Sequence, residues 1–358
     1  MTRPALHVHP FPTEVIMETA VTSAQAAIPA DDAIATPATR PAPPQPVRTP
    51  RGAINGRKMF MNQWRVAFLT VVLPAMAFVG GLVYLLGARV SLFYLGLWAV
   101  MHYIGMAGIS VGYHRLASHQ SFKGKSWARR ALMIAGSMGA QGPVLYWATN
   151  HRRHHHLCDK AGDVHSPYVS EAGEAYTNAW GGWWQAHTGW MFRSHPTDPV
   201  RYGLDLLKDQ DAIFANRHYY KWVALGIVAP GVVSAAVFQT WASFFLGMLI
   251  GGAMRIFTVQ HVTWAINSLT HMFGAQPYAN EDRSSNLLWL SIPTAGESWH
   301  NNHHAFPYSA RLGLEWWELD SGWWLLVSMR ALGFVWDLKL PSADSKAAKR
   351  RETADAAG

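Results

Sequence analysis

Residues Phe244–His271 read FFLGMLIGGAMRIFTVQHVTWAINSLTH. The stretch opens with an apolar run from about Phe244 to Trp264, long enough to cross a bilayer, which takes roughly 20 residues. It closes on Asn267-Ser268-Leu269-Thr270-His271, where Asn267 and His271 stand one helical turn apart and face the same place. One segment therefore does two things. It spans a membrane, and just past its end it presents an amide and an imidazole together.

Three further runs have the length and composition of spans: about Val66 to Gly87, Val90 to Tyr113 and Tyr220 to Thr240. Gly87-Ala88-Arg89 joins the first pair and Trp241-Ala242-Ser243 the second, so the spans form two hairpins. The expected fold is an all-α integral membrane protein: four transmembrane helices in two hairpins with a His-rich helical domain on the cytosolic side. The hairpin tips carry one basic residue, Arg89, whereas Arg51, Arg57, Lys58 and Arg65 precede the first span. The central region adds a longer basic series that includes Arg115, Lys123, Lys125, Arg129, Arg130 and Lys160. The positive-inside rule then puts both termini and the central region in the cytoplasm. Ala131–Ala148 is apolar but broken by Gly136, Gly139, Gly142 and Pro143, and reads as interfacial or buried under the cytosolic domain. Trp323–Val335 is too short to cross and reads as an amphipathic helix lying on the membrane.

Composition agrees. The chain of 358 residues is 50% hydrophobic with 15% charged residues and 18 tryptophans. Soluble domains carry about 25% charge, and interfacial aromatic belts mark membrane proteins. A formal charge of +8 suits anionic headgroups or an anionic substrate. The basic residues follow no amphipathic stripe, so nucleic acid is not an expected partner. The single cysteine, Cys158, excludes an internal disulfide and reads as a space-filling residue. Residues 1–58 form an Ala/Pro-rich tail with no apolar period, expected to be disordered, and His7 and His9 within it read as incidental. A membrane domain is expected over 59–341, followed by a short charged disordered tail over 342–358.

The chemistry lies in the histidine spacing. His151, His154 and His155 stand at i, i+3 and i+4, as do His300, His303 and His304. On a helix each trio shares one face and can aim at one point or at two adjacent metals. His114 and His119 are five apart, about 140° around an α-helix, and converge only if the helix ends or bends between them. With His271 these are nine candidate ligands, more than one metal needs. Neutral imidazole suits iron, zinc, copper and nickel. A structural zinc would need four ligands and usually recruits cysteine. His156, His165, His187, His195, His218 and His261 lack that spacing.

His-x-x-x-x-His, His-x-x-His-His twice, and Asn-Ser-x-x-His before the last copy together resemble the membrane fatty acyl desaturases of the stearoyl-CoA (Δ9) type. Gly181–Trp190 (GGWWQAHTGW), Gly296–Trp299 (GESW) and Trp316–Asp320 (WWELD) are similar to the bacterial and plant-like branch. The resemblance covers roughly Trp64 to Pro341 and implies a desaturase domain there. It implies a di-iron centre held by His114, His119, His151, His154, His155, His271, His300, His303 and His304, with Asn267 acting through water. It implies O₂ as co-substrate and the removal of two hydrogens from adjacent methylenes, with Δ9 as the expected position. An unactivated C–H bond needs a redox-active metal, which zinc is not. No catalytic side chain beyond the metal ligands is expected.

Glu297 and Asp163 are expected to orient ligand imidazoles through their distal N–H groups. The resemblance also implies an acyl tunnel, with His102, Met106, Trp147, His187 and Trp190 as expected lining and Met106 as a limit on chain length. Acyl-CoA is the expected substrate and acyl-lipid the alternative. The animal acyl-CoA enzymes carry Arg-Asp immediately before the second histidine cluster, where this chain has Thr149-Asn150. No fused electron carrier is expected, so an external ferredoxin-like or cytochrome b5-like donor with its reductase completes the partner set, beside membrane lipids. Two other readings stay open: a membrane di-iron hydroxylase or ketolase, and a non-catalytic membrane metal-binding or transport protein.

Overall fold

The computed structural model describes residues 52–54, 57–87 and 91–351. The expected tail over 1–58, with His7 and His9, lies outside the described residues apart from 52–54 and 57–58, as does the hairpin tip Ala88-Arg89.

Helix α1 (Arg57–Gly87) is the first span. Helix α2 (Leu92–Ala107) runs without a break into a π-helix, Gly108–Ser118. After the short strand β1 (Lys123–Gly124) come α3 (Ser126–Met138) and α4 (Val144–Leu157). Short helices α5 (Ala179–Trp184), α6 (Trp190–Arg193), α7 (Pro199–Gly203) and α8 (Gln210–Arg217) lead to α9 (Tyr219–Phe238), the third span. The fourth span is α10 (Trp241–Gly247), a π-helical segment Met248–Met254, and α11 (Arg255–Met272). Helices α12 (His300–Ala305) and α13 (Ser321–Ala331), strand β2 (Val335–Trp336) and α14 (Ala343–Lys349) complete the chain. β1 and β2 pair antiparallel, Lys123 opposite Trp336.

Among the described residues, four helices are long and apolar enough to cross a membrane: Met59–Gly87, Leu92–Ser118, Tyr219–Phe238 and Trp241–Met272. They match the four expected spans, but the second and fourth run on past the apolar stretch. They are also the inner pair. Their most apolar windows are 44% and 50% buried, against 11% and 22% for the first and third. The outer spans leave most of their apolar surface uncovered by the rest of the chain. Of the nine candidate ligands the inner spans carry His114 and His271.

The Ala131–Ala148 stretch does not cross. It forms the hairpin α3–α4, whose tip packs among the spans. Gly139 approaches Ile109 and Val259, and the Arg255 guanidinium donates to Met138 O (2.6 Å) and Gly226 O (2.8 Å). Glycine is required at Gly108, because a Cβ there would meet the backbone of Ala135 and Gly136. Arg255 is fully buried and bonds only to main-chain carbonyls, so a charge inside a span is offset by a helix C-terminus.

The disordered tail expected over 342–358 is corrected for 342–351. Ser342 caps α14, Ala279 N donates to Lys349 O (2.8 Å) and Arg351 N to Pro277 O (2.9 Å). Lys349 Nζ donates to Ala305 O (2.7 Å), and Arg350 pairs with Glu315 (2.6 Å). The segment is polar because it docks through main-chain and ionic bonds, with none of its helix residues buried. Composition alone scores such a segment as a tail.

Candidate metal centre

The expected obstacle to joining His114 with His119 is removed by the π-helix. Its i→i+5 bonding places residues five apart on one face. His119 N donates to His114 O (3.1 Å), and the two rings meet edge-on with centroids 4.9 Å apart. Helices α4 and α12 present their trios as the spacing predicts, and α11 delivers His271.

The nine imidazoles assemble into two groups. His114, His119, His151, His155 and His303 have ligand nitrogens within 4.8 Å of one another, and so do His154, His271, His300 and His304. Each trio is thus divided: α4 gives His151 and His155 to the first group and His154 to the second, while α12 gives His303 to the first and His300 and His304 to the second. Asn267 lies half-buried one turn before His271.

Carboxylates stand behind the rings. Glu297 bonds His114 Nδ1, and is itself held by Ser110 Oγ (2.5 Å) and flanked by Arg115 (3.5 Å). Asp163 Oδ1 accepts from His154 Nδ1 (2.9 Å). Both contacts fall on residues expected for this role. Two more were missed: Asp159 Oδ2 at His271 Nδ1 (3.2 Å) and Asp282 Oδ2 at His304 Nδ1 (2.9 Å). Asp159 lies four residues past His155 and had a weak signal in sequence. Asp282 had none, because the loop that brings it back is fixed only by the fold.

These bonds test whether a cation fits. An ionised carboxylate only accepts, so each partnered Nδ1 carries the proton and the matching Nε2 is left as a lone pair. The lone pairs converge. His114 Nε2 faces His303 Nε2 at 2.9 Å, and His303 Nε2 also meets His155 Nε2 at 2.8 Å. His271 Nε2 faces His300 Nε2 at 3.1 Å, and His304 Nε2 is buried with no partner among the described residues. Neutral rings cannot satisfy all of these contacts by donating to one another. A cation in each group can, and the all-nitrogen donor set suits a transition metal.

Electrostatics prepare the rings for that role. Burial, then the neighbouring imidazoles, hold His119, His151, His155, His300 and His303 well below the ordinary imidazole value. Burial lowers His304 to about 4. These rings are neutral, as ligation requires. His154 goes the other way: burial lowers it, but Asp163, with Asp159 and Asp282, raises it above the ordinary value. Burial would raise Asp159, Asp163, Asp282 and Glu297, yet the facing histidines hold each below its usual value.

The five expected tunnel residues fall into two places. Met106 is fully buried with Ile109, Val259 and Ala295, and Trp147 packs against that cluster while stacking on His151 (5.0 Å). His102 is buried nearby, bonded to Pro293 O (3.0 Å) and Thr258 Oγ1 (3.3 Å). His187 and Trp190 lie apart from these three. His187 bonds Ser268 and His261, both at 3.0 Å, and Trp190 joins Ala67, Val164 and Trp264. Cys158 is buried with Sγ 3.6 Å from His154 Nε2. Thr149 and Asn150 are both turned inward: Thr149 Oγ1 donates to Leu145 O (2.7 Å) and Asn150 Oδ1 accepts from Thr197 (2.5 Å).

Comparison with known proteins gives a match to the family described as fatty acid desaturase over residues 97–332. The hex-5-enoyl-[acyl-carrier protein] acetylenase of Moorena producens is 41% identical over 72% of this chain and 78% of its own length. The sn-1 stearoyl-lipid 9-desaturase of Anabaena variabilis is 36% identical over 68% of this chain and 81% of its own. Delta-9 acyl-lipid desaturase 1 of Arabidopsis thaliana is 35% identical over 69% and 75%.

Proposed function

The chain belongs to the fatty acid desaturase family, and from that premise we propose that it introduces a Δ9 double bond into a long-chain acyl-lipid. The balance is RCH₂CH₂R + O₂ + 2e⁻ + 2H⁺ → RCH=CHR + 2H₂O. The electrons come from an external donor, ferredoxin-like or cytochrome b5-like, with its reductase. Both termini and the metal centre lie on the cytosolic side, following the basic residues.

The observation that carries this reading is the convergence of imidazole lone pairs in two adjacent groups. His114, His119, His151, His155 and His303 would hold one iron. His154, His271, His300 and His304 would hold the other, with Asn267 acting through water. When bound, the irons supply the oxidising chemistry with O₂ that an unactivated C–H bond demands. The protein's residues do the rest. Glu297, Asp163, Asp159 and Asp282 fix ring orientation and tautomer. Trp147, against His151 and the Met106 cluster, makes an apolar wall that excludes water from the side where an acyl chain would lie.

An acyl-lipid is preferred to acyl-CoA because Thr149 and Asn150 spend their polar atoms inside the fold, leaving no Arg-Asp pair at that position. The named relatives with acyl-lipid substrates point the same way. The test is a fatty-acid profile of cells lacking their own desaturase, expressing this chain or its His303→Ala variant. A new monounsaturated acid that requires His303 is expected. Hydroxy acids, or purified protein without iron, would sink the reading.

A further inference from the structure

A cavity of about 430 Å³ opens beside the first histidine group, at Gln120, the residue after His119. Its floor includes Leu116, Ala117, Met133 and Leu206. The last three also belong to the core cluster of Tyr113, Val144 and Ala148, against which Trp147 packs. One layer of apolar side chains therefore separates the floor from the ring stacked on His151.

The rim is different in kind. Three cations, Lys123, Arg129 and Lys339, alternate with three carboxylates, Asp205, Asp209 and Asp337, so the rim has no net charge. Lys123 pairs with Asp337 (3.0 Å) across solvent, with side chains 71% and 59% exposed. Such a pair contributes only about 0–1 kcal/mol and is readily exchanged for a ligand's charges. Arg129 is committed to Asp209 and Asp211, and Asp205 to Arg152 and Gln120. Lys339 has no carboxylate partner among the described residues. Exposed Trp336 borders the same rim.

Position matters as much as charge. Helix α3 begins beside the rim and ends at Met138, bonded to Arg255 of the fourth span, about 20 Å lower at 1.5 Å per residue. Helix α3 thus ties the cavity rim to the buried interior of the spans.

Building on the acyl-lipid reading, we infer that this cavity binds the headgroup of a zwitterionic glycerophospholipid. Lys339 meets the phosphate and Asp337 meets the ammonium with Trp336 beside it, while the apolar floor of Leu116 and Met133 meets the glycerol end of the acyl chains. A polyanionic headgroup such as CoA gains no net attraction from a rim whose three cations are matched by three carboxylates. A cation beside an aromatic ring and a carboxylate gains from both.

The direct test is binding of dihexanoyl phosphatidylethanolamine to the full chain in non-ionic detergent, read by saturation-transfer NMR. Dihexanoyl phosphatidylglycerol is the anionic comparison. Wild type should bind the zwitterion more tightly, and Asp337→Asn or Lys339→Met should weaken it about tenfold, with Lys339→Arg restoring it. Iron content and thermal unfolding of each variant report whether it has folded. In vesicles, the same variants should raise KM for phosphatidylethanolamine and leave kcat unchanged. No binding, equal binding of the two lipids, or variants that bind like wild type would overturn the inference. None of these binding results depends on turnover, so they are distinct from failure of the desaturase reading, which the fatty-acid profile decides.

Discussion

The two histidine groups differ in what stands behind them. The first has five rings and one carboxylate, Glu297, on His114. The second has four rings and three carboxylates, Asp163, Asp159 and Asp282, on His154, His271 and His304. Fewer imidazoles are thus compensated by more negative charge one atom layer out. A carboxylate behind an imidazole raises its basicity and fixes its orientation. The first group has the larger number of rings, and the second has fewer rings with more carboxylates behind them.

The largest effect should come from removing a ring from either group. His303→Ala and His271→Ala should each abolish product and lower iron by about one atom per chain, measured by metal analysis of purified protein. If either variant kept both irons, the division into two groups would be wrong. Next come the carboxylates. Replacing such a partner typically costs about 10–100-fold in metal affinity. Glu297→Gln should sit at the upper end because no other carboxylate bonds a ring of its group among the described residues. Asp282→Asn should sit at the lower end, backed by Asp159 and Asp163. Chelator competition measures both, and the reverse order would break the comparison.

Acidity gives a smaller, graded effect. His119, His151, His155, His300, His303 and His304 have folded values below the ordinary 6.5, so the unfolded chain binds protons first as pH falls. The stability they contribute to metal-free protein is present above about 6.5 and lost as pH falls toward about 4, the His304 value. The depressed carboxylates push in the same direction at lower pH. His154, whose value is raised, opposes it. Metal-free protein should therefore show a lower Tm at pH 5.5 than at pH 7.5. An unchanged Tm would mean the rings are not buried neutral.

Met106→Ala opens space in the cluster against which Trp147 packs and should lengthen the accepted acyl chain without altering iron content. A constant product profile would remove Met106 from the tunnel. Least of all, Lys349→Met loses one bond to Ala305 O at the end of α12, which serves both groups. About 1 kcal/mol of stability should go, with no preference between the irons. A selective loss at one site would show that the C-terminal segment supports that group alone.

Four spans and the nine histidines that gather were legible in sequence, because apolar length and i, i+3, i+4 spacing are local properties of a helix. Glu297 and Asp163 were legible by proximity to the histidine clusters. Three things were not. The partition of each trio between two groups depends on how α4 faces α12. The pairing of His114 with His119 needed a π-helix that spacing alone could only demand. Asp282, and the docking of 342–351, arise from residues far apart in the chain that meet only after the loops close. Sequence by itself determined which side chains could bind metal and on which helix face they stand. Tertiary structure decided which of them share a centre and which carboxylate orients each, since those are contacts between helices and no local periodicity encodes them.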